Sequence, residues 1–195
     1  MRSGDENGST PLVGRRGFLT FGLTALAAAT VPSILSPATA EAATLAGGPV
    51  RRLALHNINT GERFDDVYWA NGAYRPEALR KLDVLLRDHR AHQVCRTDPR
   101  LFDVLWQVRQ KLDSNEPYEV VCGYRSRKTN ALSRRRSRGV AKESYHTRGM
   151  AVDVMLPERN LKGIAQQAMA LQSGGVGYYP RSGFVHMDVG PVRHW

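Results

Sequence analysis

A short alternating segment near the carboxyl end, residues 184–189, constrains the fold of this chain more than any other feature. Side chains of a β-strand point alternately to opposite faces, so valine and methionine share one face here while His186 and Asp188 share the other. The apolar face can enter a core. Two ionisable groups together on the second face are costly unless something there uses them, and we therefore expect that face to line a cleft.

A second segment, residues 149–156, repeats this pattern. Val152 and Val154 point one way, and Asp153 points the other. If the two strands are neighbours, Asp153 and His186 can come within metal-bonding distance, and His146 can close the site from the loop just before. Three protein ligands leave one tetrahedral position open for water, as in catalytic rather than structural zinc sites. The alternative is that each histidine is an ordinary core or surface residue.

The amino-terminal segment differs in composition from the rest of the chain. The pair Arg15-Arg16 precedes an apolar run, residues 18–31, which is too short for a confident membrane span, and the small residues Ala38 and Ala40 follow it. We predict a twin-arginine export signal over residues 1–40, a linker of small residues over 41–50 and one domain over 51–195. An uncleaved membrane anchor is the alternative. In both cases the domain lies in the periplasm or elsewhere outside the cytoplasm.

The charge of the chain indicates an anionic partner. The sequence has 28 lysines and arginines against 18 acidic residues, a net charge of +10. Predicted export argues against nucleic acid, and the basic run of Arg134, Arg135, Arg136 and Arg138 lacks interleaved aromatic residues that could stack on bases. An acidic wall polymer held in a salt-sensitive way fits better. A chain of this length predicts a single module, which we expect to be a monomer.

Periodicity and turn residues predict the main elements. Pro76 begins one helix, and Pro99, with Asp98 as its N-cap, begins another. A third helix is predicted over residues 160–172, a hairpin over 52–68, and further strands over 118–121, 149–156, 176–179 and 184–189. The polar segment 123–145 is predicted to be a long loop. Cys95 and Cys122 match no zinc motif, and they can either form a disulfide or lie buried as separate thiols.

Several motifs resemble a known family. Residues 146–153, His-Thr-Arg-Gly-Met-Ala-Val-Asp, resemble the His-x-x-Gly-x-Ala-x-Asp motif of zinc D-alanyl-D-alanine peptidases, a group that includes lysostaphin-like enzymes and hedgehog domains. Residues 122–126, Cys-Gly-Tyr-Arg-Ser, are similar to the group's Ser-Gly-Tyr-Arg-Ser segment. Residues 55–62 and 176–190 more closely resemble the murein endopeptidase K family. The resemblance extends from Leu53 to Trp195.

This resemblance implies an α+β fold with an antiparallel sheet, helices mainly on one face and a single zinc ion in the sheet cleft. It further implies cleavage of peptide cross-links in peptidoglycan, particularly those joining two diaminopimelate residues. Carried over by position, the zinc ligands are His146, Asp153 and His186. Arg125 of the Gly-Tyr-Arg-Ser segment would bind a substrate carboxylate or stabilise the oxyanion of the tetrahedral intermediate.

One departure from the wider group concerns the general base. Relatives have glutamate or histidine two residues before the last ligand, where this chain has Phe184. Asp188 is the leading candidate for the base, and its alternative role is to orient His186. His194 and Glu143 are weaker candidates. Two alternative functions therefore stay open, a non-catalytic zinc-containing peptidoglycan-binding module and a D-alanyl-D-alanine carboxypeptidase.

Overall fold

The computed structural model describes residues 50–137 and 139–195. The predicted export signal, the predicted linker up to residue 49 and Arg138 lie outside the described residues. The strands are β1 (Arg51–Asn57), β2 (Arg63–Ala70), β3 (Ala73–Tyr74), β4 (Tyr118–Cys122), β5 (Ala151–Met155), β6 (Gly175–Tyr179), β7 (Phe184–Asp188) and β8 (Arg193–His194). The helices are α1 (Pro76–Leu85), α2 (Arg100–Lys111), α3 (Arg127–Arg136) and α4 (Leu161–Ala170), and a 3₁₀ turn covers Tyr145–Arg148.

The strands form one sheet in the order β3-β2-β1-β4-β5-β7-β6-β8. Most neighbouring pairs are antiparallel, as expected, whereas β1 and β4 run parallel and so do β6 and β8. The predicted hairpin is β1 and β2, joined by a turn in which Gly61 has a φ of +76°, a conformation that glycine adopts without steric cost. The α+β fold class is confirmed.

The hydrophobic core lies on one face of the sheet. Val152, Val154, Val185 and Met187 are fully buried there, so the alternation predicted for β5 and β7 is confirmed. Burying each such side chain contributes about 1.5–3 kcal/mol to stability. Helices α1, α2 and α4 supply the other side of this core through apolar residues such as Leu82, Leu101, Leu105, Val108 and Ile164. The opposite face of β5 and β7 is left for polar side chains.

The prediction of a loop over residues 123–145 is wrong, because this segment contains α3. Ser126 caps this helix, with its Oγ accepting a hydrogen bond from Thr129 N at 3.2 Å. The buried Asn130 side chain donates to the carbonyls of Ala141 and Lys142 at 3.1 and 3.3 Å. Polar contacts therefore hold α3 in place. The sequence shows no apolar stripe there from which to predict a helix, and no α3 residue belongs to the hydrophobic core.

Helices long and apolar enough to cross a membrane are absent from residues 50–137 and 139–195.

Candidate functional site

Three neighbouring strands place polar side chains in a row on the sheet face opposite the core. Asp153 of β5 lies directly across from His186 of β7, and on its other side it lies across from Cys122 of β4. Directly opposed residues point to the same face of a sheet. The pairing of β4 with β5 shifts register between Val120 and Cys122, as at a β-bulge, and this shift brings Cys122 rather than Val121 into the row.

His146 approaches this row from the 3₁₀ turn. The turn ends at Gly149, whose φ of +66° lies in the left-handed region. A Cβ at this position would overlap the carbonyl oxygen of Arg96, so glycine is required by both conformation and space. The carbonyl of His146 accepts a hydrogen bond from Arg125 N at 3.1 Å, which ties the turn to the segment following β4.

The structure brings the three predicted metal ligands together. His146 Nε2 lies 3.2 Å from Asp153 Oδ1 and 3.2 Å from His186 Nδ1, and His186 Nδ1 lies 2.9 Å from Asp153 Oδ1. All three residues are buried, with exposed fractions of 3 to 8%. Two imidazole nitrogens and one carboxylate oxygen thus face a common point.

The opposite nitrogen of each imidazole is already engaged. His146 Nδ1 lies 2.8 Å from the carbonyl oxygen of Gly123, which can only accept, so Nδ1 carries the hydrogen. His186 Nε2 lies 2.9 Å from Asp188 Oδ2 and donates to that carboxylate. In the neutral rings the nitrogens that face Asp153 therefore present lone pairs. Two adjacent lone pairs and a carboxylate need a cation between them, so this donor set fits a metal ion.

The electrostatics of the cluster favour an anionic Asp153. Burial by itself raises the pKa of Asp153, but the two imidazoles override this effect and hold that pKa well below its usual value. Burial also opposes protonation of His146, yet the carboxylate of Asp153 and the neighbouring Cys122 raise the pKa of His146 well above its usual value. A proton and a metal ion therefore compete for His146 Nε2.

Cys122 is a further potential metal donor beside this cluster, a role that the sequence did not indicate. Its Sγ, a ring nitrogen of His146 and a carboxylate oxygen of Asp153 lie within 4.8 Å of one another. The signal that could have located it is the bulge, which depends on pairing between distant strands. Cys122 and Cys95 are both free thiols in the structure, so the disulfide that their presence allowed is not formed there.

Asp188 lies on the side of the His186 ring that faces away from Asp153 and His146. The residue is only 1% exposed, and its carboxylate contacts the ring nitrogen that points away from Asp153 and His146. Its oxygens also accept from the backbone of Gly175 and Gly190 at 3.1 and 2.9 Å and from Arg193 at 2.7 and 3.1 Å. Burial raises the pKa of Asp188, but His186 and Arg193 together lower it well below its usual value.

An open cleft of about 530 Å³ lies above the cluster. His146, Asp153 and His186 form part of its floor, and Arg125 lies in its wall. Arg125 Nη2 donates to Ser144 Oγ at 3.3 Å, while its buried Nε has no hydrogen-bond partner among the described residues. An arginine that lines an open cleft can donate from its guanidinium to an anionic oxygen of a ligand.

Aromatic side chains form another wall of this cleft. Phe184 stacks on Tyr179 with ring centroids 4.7 Å apart, and the Trp195 ring lies 5.4 Å from that of His186. Of the weaker candidates for the base, Glu143 lines the cleft with a largely exposed side chain, whereas His194 is exposed on β8 and is not among the cleft residues.

A cluster of buried metal donors that lines an open cleft is typical of metal-centred hydrolytic sites. Comparisons with known proteins agree with that class. The sequence profile described as peptidoglycan L,D-endopeptidase MepK, from the M15 group of peptidases, matches residues 45–195. The chain belongs to this peptidase family.

Individual relatives align along most of the chain. The peptidoglycan L,D-endopeptidase MepK of Escherichia coli (strain K12) is 44% identical over 181 residues, which cover 93% of this chain and 96% of the relative. The Shigella flexneri protein of the same name has the same identity and coverage. The probable peptidoglycan L,D-endopeptidase MepK of Haemophilus influenzae is 47% identical over 146 residues, 74% of this chain and 78% of the relative. No solved structure matches the chain significantly.

Proposed function

We propose that this chain is a zinc-dependent murein endopeptidase that hydrolyses peptide cross-links in peptidoglycan, with the L,D specificity for which its relatives are named. The observation that carries the proposal is the meeting of three lone-pair donors, from His146, Asp153 and His186, within about 3 Å of one another under an open cleft. We further propose export through residues 1–40, action in the periplasm or elsewhere outside the cytoplasm, and a monomeric domain over residues 51–195.

Zinc is the metal that this donor set favours. Two imidazoles and one carboxylate form a common catalytic zinc set, and such a set leaves a position for water. When bound, zinc supplies a Lewis acid that makes water nucleophilic near neutral pH. His146 and His186 would hold the ion through Nε2 and Nδ1 respectively, since their other nitrogens donate to Gly123 and Asp188.

Arg125 is proposed to bind the substrate. Arg125 lines the cleft, and its Nη2 donates to Ser144 Oγ at 3.3 Å. Cross-linking peptides of peptidoglycan carry free carboxylates, and hydrolysis of an amide develops negative charge on the carbonyl oxygen. A planar fork of donors can hold either anion.

Asp188 is proposed to orient His186 and not to act as the general base. A base must reach the attacking water, but the Asp188 carboxylate contacts the far side of the His186 ring and is 1% exposed. Its hydrogen bond fixes the orientation and tautomer of that imidazole. If Asp188→Asn loses about a thousandfold in kcat while keeping full metal occupancy and affinity, Asp188 returns to the role of base.

The decisive experiment is digestion of defined cross-linked muropeptides, followed by mass analysis. We expect the purified protein to convert dimers into monomers, a chelator to stop the reaction and zinc to restore it. His186→Ala is expected to reduce both metal content and activity to background. Full activity after complete removal of metal would contradict the mechanism. Release of D-alanine alone would indicate a D-alanyl-D-alanine carboxypeptidase.

Phe184 favours one alternative, a non-catalytic zinc-containing module that binds peptidoglycan. This side chain lines the cleft where relatives in the wider group carry a proton acceptor, and it stacks on Tyr179 instead. Tight binding of zinc and of isolated sacculi without any release of product would support this alternative.

A further inference from the structure

Arg193 connects the two sides of the candidate metal centre. Its Nη2 and Nη1 donate to Asp188 Oδ2 and Oδ1 at 2.7 and 3.1 Å, a two-pronged ion pair with the carboxylate behind His186. The guanidinium also lies over two aromatic rings, with Cζ 4.9 Å from the centroid of Tyr145 and 5.0 Å from that of Trp195. We call Arg193, Asp188, Tyr145 and Trp195 the Arg193 cluster.

Each partner of Arg193 adjoins one of the two imidazoles. Asp188 holds His186 through a 2.9 Å hydrogen bond, and the Trp195 ring lies 5.4 Å from the same imidazole. Tyr145 directly precedes His146 in the 3₁₀ turn. Moving the guanidinium would therefore release both the carboxylate that orients one imidazole and the ring that supports the turn carrying the other.

Two backbone glycines pack closely against the side chains of the Arg193 cluster. A Cβ at Gly175 would overlap the Arg193 guanidinium and the Asp188 carboxylate, and a Cβ at Gly190 would overlap the Tyr145 ring. Strand β8 is hydrogen-bonded to β6, and Trp195 extends this pairing through Tyr178 N to Trp195 O at 3.0 Å. Since β6 also pairs with β7, the strand that carries His186, the position of Arg193 is set relative to that residue.

We infer that Arg193 is a positioning residue, which holds the imidazoles of His146 and His186 in the geometry that a metal ion needs. The inference rests on the proposed function in one respect only, the presence of a metal at this centre. Residues behind metal ligands typically change metal affinity or activity by about 10–100-fold when they are altered. An ordinary structural ion pair would instead change stability and leave metal binding as it was.

A second arginine cluster, near the opposite edge of the sheet, provides a matched control. Arg51 Nη1 pairs with Asp103 Oδ1 at 2.6 Å, and its guanidinium lies 4.8 Å from the Trp69 ring centroid and 5.4 Å from that of Trp106. We call these four residues the Arg51 cluster. It has the same chemistry as the Arg193 cluster and a comparable exposure of the arginine, 26% against 38%, but it is built from β1, β2 and α2, which carry no candidate metal ligand.

The test compares Arg193→Gln, Arg193→Lys and Arg51→Gln in the full-length protein, without substrate. Zinc affinity is measured by competition with a chromogenic chelator, metal geometry by the visible spectrum of the cobalt-loaded protein, and stability by thermal unfolding of the metal-free protein. We expect Arg193→Gln to weaken zinc binding about 10–100-fold and to alter the cobalt spectrum. Arg193→Lys should recover only part of the affinity, because an ammonium keeps the charge but not the planar fork. Arg51→Gln should lower the unfolding temperature and change neither metal readout.

Wild-type affinity and an unchanged cobalt spectrum in Arg193→Gln would overturn the inference. A weakening of zinc binding in Arg51→Gln as large as that in Arg193→Gln would overturn it too, since a general loss of stability would then explain both. If Arg193→Gln does not fold, Arg193→Lys decides in the same way. A wild-type protein that binds zinc but cleaves no muropeptide contradicts the proposed function and leaves this inference intact, because none of these measurements uses substrate.

Discussion

The Arg51 and Arg193 clusters are built alike and differ in what else the carboxylate touches. Each has an arginine paired to an aspartate and stacked on two aromatic rings. Asp103 accepts additional hydrogen bonds from the hydroxyls of Tyr68 and Tyr74 at 3.0 and 2.6 Å, whereas Asp188 accepts from the imidazole of His186. A phenol bonded to a carboxylate joins a helix to a sheet. An imidazole bonded in the same way becomes an oriented donor for a metal.

The comparison shows that an ion pair does not reveal its role by its own geometry. Arg51 pairs through one nitrogen and Arg193 through two, but the shortest distances of 2.6 and 2.7 Å and the stacking are similar. The other partners of the carboxylate make the difference. Four measurements can break or sharpen this contrast.

The largest expected effect separates the two aspartates. Asp188→Asn keeps an oxygen near His186 but loses the charge paired with Arg193, so zinc affinity should fall about 10–100-fold. Asp103→Asn should leave zinc affinity unchanged and lower the free energy of unfolding by about 1–3 kcal/mol, because Arg51 loses its paired charge and one acceptor oxygen of the side chain is replaced by an amide nitrogen. Chelator competition and urea unfolding measure the two quantities. Equal losses of zinc affinity in both variants would remove the distinction between the clusters.

Helix α3 adds a second difference between the region of the cleft and the region of the Arg51 cluster. It carries Arg134, Arg135 and Arg136, all exposed and in no ion pair of the described residues, and the residues just after it line the cleft. Replacing all three by glutamine should weaken binding to isolated sacculi by up to about tenfold at low salt, with less effect at high salt.

The control for α3 is Arg80→Gln with Lys81→Gln on α1, which removes two charges instead of three, at residues that do not line the cleft. Pelleting with sacculi across a range of salt concentrations measures the effect. Rates on small soluble muropeptides should stay the same in both sets of variants. Equal weakening per charge removed in the α1 control would mean that net charge, and not the position of α3, governs binding to the wall.

Alkaline pH should remove the hydrogen bond from Tyr74 to Asp103 of the Arg51 cluster. Burial, with the hydrogen bond to Asp103, raises the pKa of Tyr74 to about 12. The unfolded chain then loses the Tyr74 proton before the folded protein does. The contribution of Tyr74 to the free energy of unfolding is complete below about pH 10, the ordinary pKa of a tyrosine. This contribution is lost progressively as pH rises from there towards 12.

Unfolding measured between pH 8 and 11.5 should show this loss in the wild type and a smaller one in Tyr74→Phe. Tyrosinate absorbance would report the late titration directly. Identical pH profiles in the two proteins would show that Tyr74 does not titrate as its contacts indicate.

The smallest effect is expected for an exposed ion pair without stacking. Arg52 and Asp65 are 54% and 61% exposed and lie 2.9 Å apart on the hairpin of β1 and β2. Arg52→Gln should change the free energy of unfolding by at most about 0.5 kcal/mol and leave zinc binding unaltered. A larger cost would show that exposed pairs matter here as much as the stacked ones do.

Residue patterns within short segments of the sequence were sufficient to predict much of the secondary structure. The alternation in β5 and β7 predicted which side chains enter the core, and Pro76 and Pro99 marked the beginnings of two helices to within a residue. Helix α3 was missed for a physical reason. Ser126 and Asn130 hold it with polar contacts, so its residues lack the apolar repeat by which helices are recognised.

The candidate site was predictable in part. Motif resemblance selected His146, Asp153 and His186, and the structure brings their donor atoms together. Neither Arg193 nor the placement of Cys122 could be predicted, because one depends on how β8 returns beside β6 and the other on a bulge between β4 and β5.

The sequence by itself determined which residues share a strand face and which types of donor the chain possesses, because strand periodicity is a property of neighbouring residues. Only the tertiary structure decided that Asp153 faces His186, that Asp188 stands behind that imidazole and that Arg193 stands behind Asp188. Register and strand order are set by contacts between residues distant in sequence, and a local pattern carries no information about them.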